Sequence, residues 1–208
     1  GVDVLVTPNG VDLTGWRPRD ERHGSRLHLV CATRFAPRKR VFALIEIAQR
    51  LHLMAGQRCP RFTVAGDGPA LARARKKVQQ LGLESVVALP GRLTRDALAD
   101  LYATADAYVQ VSVRESFGLA AVEARAAGLP VIGRSGTGFA EFVSAGVDGF
   151  LESSDAAIQA RIAQLVDEPV LLQRLRDCAA DQSPRNTWSY ATEQVELGYR
   201  RAQAQRLR

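Results

Sequence analysis

The chain has 208 residues, 46% hydrophobic and 24% charged, with 28 Lys plus Arg against 22 Asp plus Glu for a net charge of +6. This composition excludes a disordered or collagen-like chain, and the length is enough to bury a full core. No apolar run reaches the ~20 residues of a membrane-spanning helix, and no basic-then-apolar leader opens the sequence, whose first residues, GVDVLVTPNG, read as a chain entered midway.

Short apolar runs alternate with helical patterns. Strands are predicted at Asp3–Thr7, Leu27–Thr33, Arg61–Ala65, Val86–Leu89, Ala107–Val111 and Pro130–Gly133, with a further short run at Gly149–Glu152. Between them, Val41, Leu44, Ile45, Ala48 and Leu51 fall on one helical face, and Leu71, Ala74, Val78 and Leu81 on another. Thr94 is placed to N-cap a third helix carrying Leu98 and Leu101. Phe117–Ala127 reads as a fourth, ended by Gly128 and Pro130. From Asp155 onward the pattern is helical only. Ile158, Ile162 and Leu165 form one stripe, and Pro169 opens the next helix ahead of Leu172 and Leu175. Ser183-Pro184 breaks the pattern before a last helix with Trp188, Ala191, Val195 and Tyr199 along one side. The expected fold is α/β: a Rossmann-like, doubly wound parallel sheet of about six strands, helices on both faces, and a helical tail over about 155–208. The whole of 1–208 reads as one domain.

Several chemistries lack their residues. Cys31, Cys59 and Cys178 are odd in number and far apart, which suits reduced thiols rather than a disulfide framework. His23, His28 and His52 have no metal-ligand spacing, so no metal site is expected. The P-loop, GxGxxG and GxSxG patterns are absent. Gly136-Thr137-Gly138 is half of a dinucleotide fingerprint, with Glu141 where its third glycine belongs. No DxD pair is present to bridge a metal and a diphosphate. Of the 28 basic residues 25 are Arg, not interleaved with aromatics, so a nucleic-acid platform is not expected either.

In such a sheet ligands bind in loops after the strands, and two of those loops carry chemistry. After the second predicted strand comes Arg34-Phe35-Ala36-Pro37-Arg38-Lys39, whose cations would neutralise a diphosphate; the bland alternative is a solvated helix start, although cations in a first turn oppose the helix dipole. After Val111 comes Glu115-Ser116-Phe117-Gly118-Leu119-Ala120-Ala121-Val122-Glu123. Free N–H groups of Phe117, Gly118 and Leu119 at a helix start would receive anionic oxygens. The two glutamates, two turns apart, would border one pocket, where a carboxylate accepts hydrogen bonds from sugar hydroxyls. The structural alternative is a surface acid followed by a core acid paired to Arg125 or Arg134. Gly66-Asp67-Gly68-Pro69 is a tight turn into a helix, by itself weak as a signal.

Taken together, these residues resemble the family 4 glycosyltransferases of GT-B fold, group 1 type, and within them the C-terminal, nucleotide-sugar-binding half. The similar stretches run in the family's order: PNGVD (Pro8–Asp12), ATRFAPRK (Ala32–Lys39), AGDGP (Ala65–Pro69), LPGRL (Leu89–Leu93), ESFGLAAVEARAAGLPVI (Glu115–Ile132), then GTGFAEFV and GVDGFL within Gly136–Leu151. The resemblance implies roles. Arg34 and Lys39 match the cations that hold the donor diphosphate. Glu115 matches the glutamate beside the donor sugar, and Glu123 the one that grips the ribose. Phe117, Gly118 and Leu119 match the main-chain donors. Gly91, Arg92 and Leu93 match the loop that meets the base, and Gly66 belongs to the same donor-binding set. Thr33, Arg40 and Ser116 stand where the family usually has glycine.

The implied activity is retaining, metal-independent transfer of a hexosyl or related sugar from a donor such as a UDP- or GDP-sugar. No separate cofactor is implied. The acceptor, a glycan, lipid or small molecule, would be held by an N-terminal domain that this chain lacks, so the chain alone is expected to bind the donor with little transfer. The final helix resembles the family's closing helix, which returns to that N-terminal domain. The implied location is cytoplasmic, with peripheral contact at the inner face of a membrane left open. Rival readings are a non-catalytic nucleotide-sugar-binding module and a GT-B epimerase or phosphorylase.

Overall fold

The computed structural model describes residues 7, 9–18, 26–181 and 186–206. Six parallel strands form one sheet: β1 (His28–Ala32), β2 (Arg61–Ala65), β3 (Val87–Gly91), β4 (Ala107–Val109), β5 (Val131–Arg134) and β6 (Gly149–Glu152). Their order is β3-β2-β1-β4-β5-β6. The helices are α1 (Val41–Ala55), α2 (Leu71–Gln80), α3 (Arg95–Thr104), α4 (Leu119–Ala126), α5 (Asp155–Asp167), α6 (Pro169–Asp181) and α7 (Trp188–Arg206). The expected strand Asp3–Thr7, apart from Thr7, and the Ser183-Pro184 break lie outside the described residues.

Alternation along each strand sends side chains to opposite faces. Leu29 and Cys31 of β1 join Phe62, Val64, Val109 and Ile132 under α1, α2 and α5. Val30 joins Tyr108, Val131 and Phe139 under α3 and α4. Both faces are covered, which is why the strands read as continuous apolar runs rather than alternating ones. Sheet order reverses between β1 and β4, so the loops leaving these two strands part and open a crevice at their carboxyl ends.

Local chemistry sets the element ends. Thr94 caps α3 by accepting from the Ala97 N–H at 3.3 Å, and Ser154 caps α5 by accepting from the Ala157 N–H at 3.1 Å. Strand β3 extends past the expected Leu89 through Pro90 to Gly91. A proline reads as a stop in sequence, but β3 is an edge strand, where a missing N–H costs little. Strand β4 ends at Val109, before the expected Val111, where the chain turns towards the crevice. Helix α4 starts at Leu119 rather than Phe117, because Gly118 takes a left-handed φ of 89° and serves as N-cap.

Candidate functional site

Two adjoining cavities occupy the crevice. The larger, about 580 Å³, is lined by Thr33, Arg34, Lys39, Gln110, Glu115 and the turn Ser116–Ala120, among others. The smaller, about 500 Å³, is lined by Gly66, Asp67, Gly68, Arg92, Leu93 and Leu98. Ala32, Thr33, Arg34 and Ala120 line both, so Arg34 stands on the divide between two lobes of one cleft.

The loop after β1 carries the cations. Pro37–Lys39 forms a single 3-10 turn, and Arg40 follows at φ 54° before α1 begins. Arg38 and Lys39 therefore lie ahead of α1, not in its first turn. Arg40 is held in place from two sides. Its guanidinium donates to both Asp155 oxygens, at 2.9 and 2.6 Å, and to the Val111 carbonyl at 3.1 Å. Arg134 pairs with the same carboxylate. Asp155 is partly buried, which would raise its pKa, but the two guanidiniums outweigh this and hold it below the usual carboxylate range.

Lys39 reaches across the crevice and ion-pairs with Glu115. The same Glu115 oxygen accepts from the Gln110 amide at 2.8 Å, and the Tyr108 hydroxyl donates to Gln110 Oε1 at 2.6 Å. A buried chain of Tyr108 and Gln110 thus fixes the Glu115 carboxylate from beneath. The Arg34 guanidinium has no hydrogen bond or ion pair to any described residue. The Thr33 hydroxyl is buried with no hydrogen-bond partner among the described residues, and Thr33 lines both lobes.

Glycines let the backbones meet. A Cβ on Gly66, at φ 134°, would lie 1.8 Å from the Thr33 carbonyl oxygen. The turn after β2 is therefore laid flat against the loop after β1, with Thr33 N–H donating to the Ala65 carbonyl and Phe35 N–H to that of Asp67, both at 2.9 Å. Gly118 abuts the Phe139 ring, where a Cβ would come within 2.3 Å of a ring carbon. Phe139, fully buried, props the start of α4 from behind. With the helix starting two residues later than expected, its first free N–H groups are those of Leu119 and Ala120, and Phe117 belongs to the preceding turn.

Of the residues singled out from sequence, Arg34, Lys39, Glu115, Phe117, Gly118 and Leu119 line the larger lobe, and Gly66, Arg92 and Leu93 the smaller. Gly91 lines neither, though its carbonyl accepts from the Gly66 N–H at 2.8 Å. Glu123 also lines neither. It sits one turn beyond Ala120 on α4, half-buried. Burial raises its pKa, partly opposed by Arg95. The core partners considered for it have other acids: Arg125 pairs with buried Asp148 at 2.8 Å and Arg134 with Asp155. Sequence reasoning missed Thr33, Gln110 and Arg114 as lining residues. The available signal for Gln110 was a polar side chain inside the apolar run Ala107–Val111.

Comparison with known proteins gives a consistent pattern. The family model described as Glycosyl transferases group 1 matches residues 16–182. The D-inositol 3-phosphate glycosyltransferase of Streptomyces avermitilis is 32% identical over 208 aligned residues, covering 90% of this chain and 44% of that protein. Among solved structures, a UDP-containing complex of S. aureus TarM superposes with a TM-score of 0.78 at 20% identity, over 93% of this chain and 38% of the other. The C-terminal domain of a group 1 glycosyl transferase, LpcC of Francisella tularensis, gives 0.71 at 22% identity, over 83% of this chain and 95% of that domain. The chain thus spans less than half the length of the curated relative and most of a solved C-terminal domain.

Proposed function

The chain belongs to the Glycosyl transferases group 1 family, with the GT-B fold of its C-terminal part, and from this premise we propose that its cleft binds a nucleotide diphosphate sugar for retaining, metal-independent transfer of a hexosyl or related sugar. One observation carries the reading. Arg34, unpaired among the described residues, stands where the two lobes join, with Lys39 and the first turn of α4 in the larger lobe and the Gly66 turn and Leu93 in the smaller. A diphosphate at the divide would place its base in the smaller lobe and its sugar in the larger.

In this reading Arg34, Lys39 and the N–H groups of Leu119 and Ala120 stabilise the charge that gathers on the departing phosphate. The Thr33 hydroxyl gains a ligand oxygen as partner. The diphosphate draws Lys39 away from Glu115, and the carboxylate is left to orient the sugar and to stabilise positive charge on its ring. Glu123 takes the ribose hydroxyls. The acceptor hydroxyl attacks from the face the diphosphate leaves, and passes its proton to a leaving phosphate oxygen. A second domain outside this chain holds that acceptor. The exposed Trp188 and Tyr199 of α7, 64% and 69% accessible, are the apolar surface such a domain would cover.

Titration calorimetry with UDP, GDP and ADP tests the site. One of them is expected to bind, with Arg34→Ala and Glu123→Ala each weakening it by about tenfold or more through loss of a charged hydrogen bond. Binding of none, or both variants binding like the parent, contradicts the reading.

A further inference from the structure

The larger lobe holds more positive charge than a diphosphate needs. Arg34, Arg38, Lys39 and Arg114 all line it, against Glu115 as the one carboxylate among its lining residues. Lys39 is already ion-paired to Glu115. The guanidinium groups of Arg34, Arg38 and Arg114 make no hydrogen bond or ion pair with any described residue. Three like charges are therefore left facing one cavity. They repel one another, and that cost is relieved when an anion enters between them. A donor diphosphate carries one charge on each phosphate, and Arg34 and Lys39 match these two, so Arg38 and Arg114 are left unmatched.

The placement shows where the surplus falls. Arg38 lies one residue before Lys39, and Arg114 one residue before Glu115. The unmatched cations thus flank the Lys39–Glu115 pair, which marks the sugar side of the site, and neither lines the smaller lobe. We infer that Arg38 and Arg114 receive a further anionic group, a carboxylate or a phosphate, carried into the larger lobe beside the diphosphate by either the transferred sugar or the acceptor. The guanidinium fork matches both oxyanions bidentately, which a lysine at either position does not. The inference rests on the nucleotide-sugar reading and narrows its substrate class.

The test uses whichever nucleotide binds in the panel above, with UDP-glucose and UDP-glucuronate as the pair for uridine. Both are titrated into the parent and into the Arg38→Ala/Arg114→Ala double variant, and thermal melting confirms that the variant is folded. In a second arm inorganic phosphate is titrated into each protein saturated with UDP. A sugar-borne anion predicts that the parent prefers UDP-glucuronate by about tenfold, the scale of one charge-assisted contact, and that the double variant loses the preference. An acceptor-borne anion predicts no such preference, but phosphate binding to the UDP-saturated parent that the double variant loses. The inference is overturned if UDP binds while the parent shows neither effect, or if either effect survives in the double variant. Failure of every nucleotide to bind defeats the nucleotide-sugar reading itself, and this inference with it.

Discussion

Arg40 adopts φ 54°, a left-handed conformation that costs a residue with a Cβ roughly 1 kcal/mol and glycine almost nothing. Glycine would suit this position, and arginine is tolerated because its two-pronged pair with Asp155 offsets the strain. Arg40→Ala keeps the strain and loses the pair, so it should destabilise by about 1–2 kcal/mol. Arg40→Gly loses both and should lie closer to the parent. Denaturant titration of the two variants checks that order. The pH dependence has a definite sign. Asp155 titrates lower in the fold than its usual value of 3.8, so the pair contributes fully above that value and fades as pH falls through the folded one. The gap between parent and Arg40→Ala should close in acid. Glu123 behaves oppositely. Burial raises its folded pKa, so its ionised form opposes folding at neutral pH. Glu123→Gln should therefore raise the melting temperature at pH 7, with a gain that vanishes as pH falls through the ordinary carboxylate range, while weakening nucleotide binding. A variant less stable than the parent at pH 7 would show that the carboxylate is held by contacts absent from this structure.

At the scale of elements, the start of α4 is the feature on which the site depends. Gly118→Ala combines a strained positive φ with a Cβ only 2.3 Å from the buried Phe139 ring. It should cost about 2–4 kcal/mol and displace the Leu119 and Ala120 amides, measurable as lower stability together with weaker nucleotide binding. Strands β2 and β6 were legible to the residue, because each is a short apolar-rich run bounded by turn-forming residues, Pro60 and Gly66 for β2, Asp148 and Ser153 for β6. The exact start of α4 was not legible. Phe117 is apolar and helix-compatible, and what starts the helix at Leu119 instead is the left-handed Gly118, packed against the Phe139 ring twenty-one residues further along the chain. Likewise Pro90 reads as a terminator, and only sheet order reveals that β3 lies at an edge where it is harmless. Arg34, Lys39 and Glu115 could be picked out because charge after a buried strand is locally anomalous. Thr33 could not, since its unpartnered hydroxyl is a property of the assembled crevice.

For the molecule as a whole, the sheet places the thiols very differently. Cys31 lies beneath the cleft, and burial pushes its pKa up to about 12; Cys59 is also buried and raised. Cys178 is partly exposed. A thiol reagent at pH 8 should modify Cys178 in the native protein and all three cysteines after unfolding, as mass spectrometry would read; rapid native labelling of Cys31 would mean the core beneath the cleft opens. The same sheet makes one cleft from two loops that are distant in sequence. In the proposed function Arg34, Lys39 and the first turn of α4 converge on a single diphosphate. The most direct measurement is a crystal structure of the protein with the nucleoside diphosphate it binds. The distal phosphate is expected within hydrogen-bond distance of the Arg34 guanidinium and the Leu119 or Ala120 N–H, with Lys39 withdrawn from Glu115. A diphosphate lying elsewhere, with Lys39 still on Glu115 and Arg34 free, would contradict the proposed function.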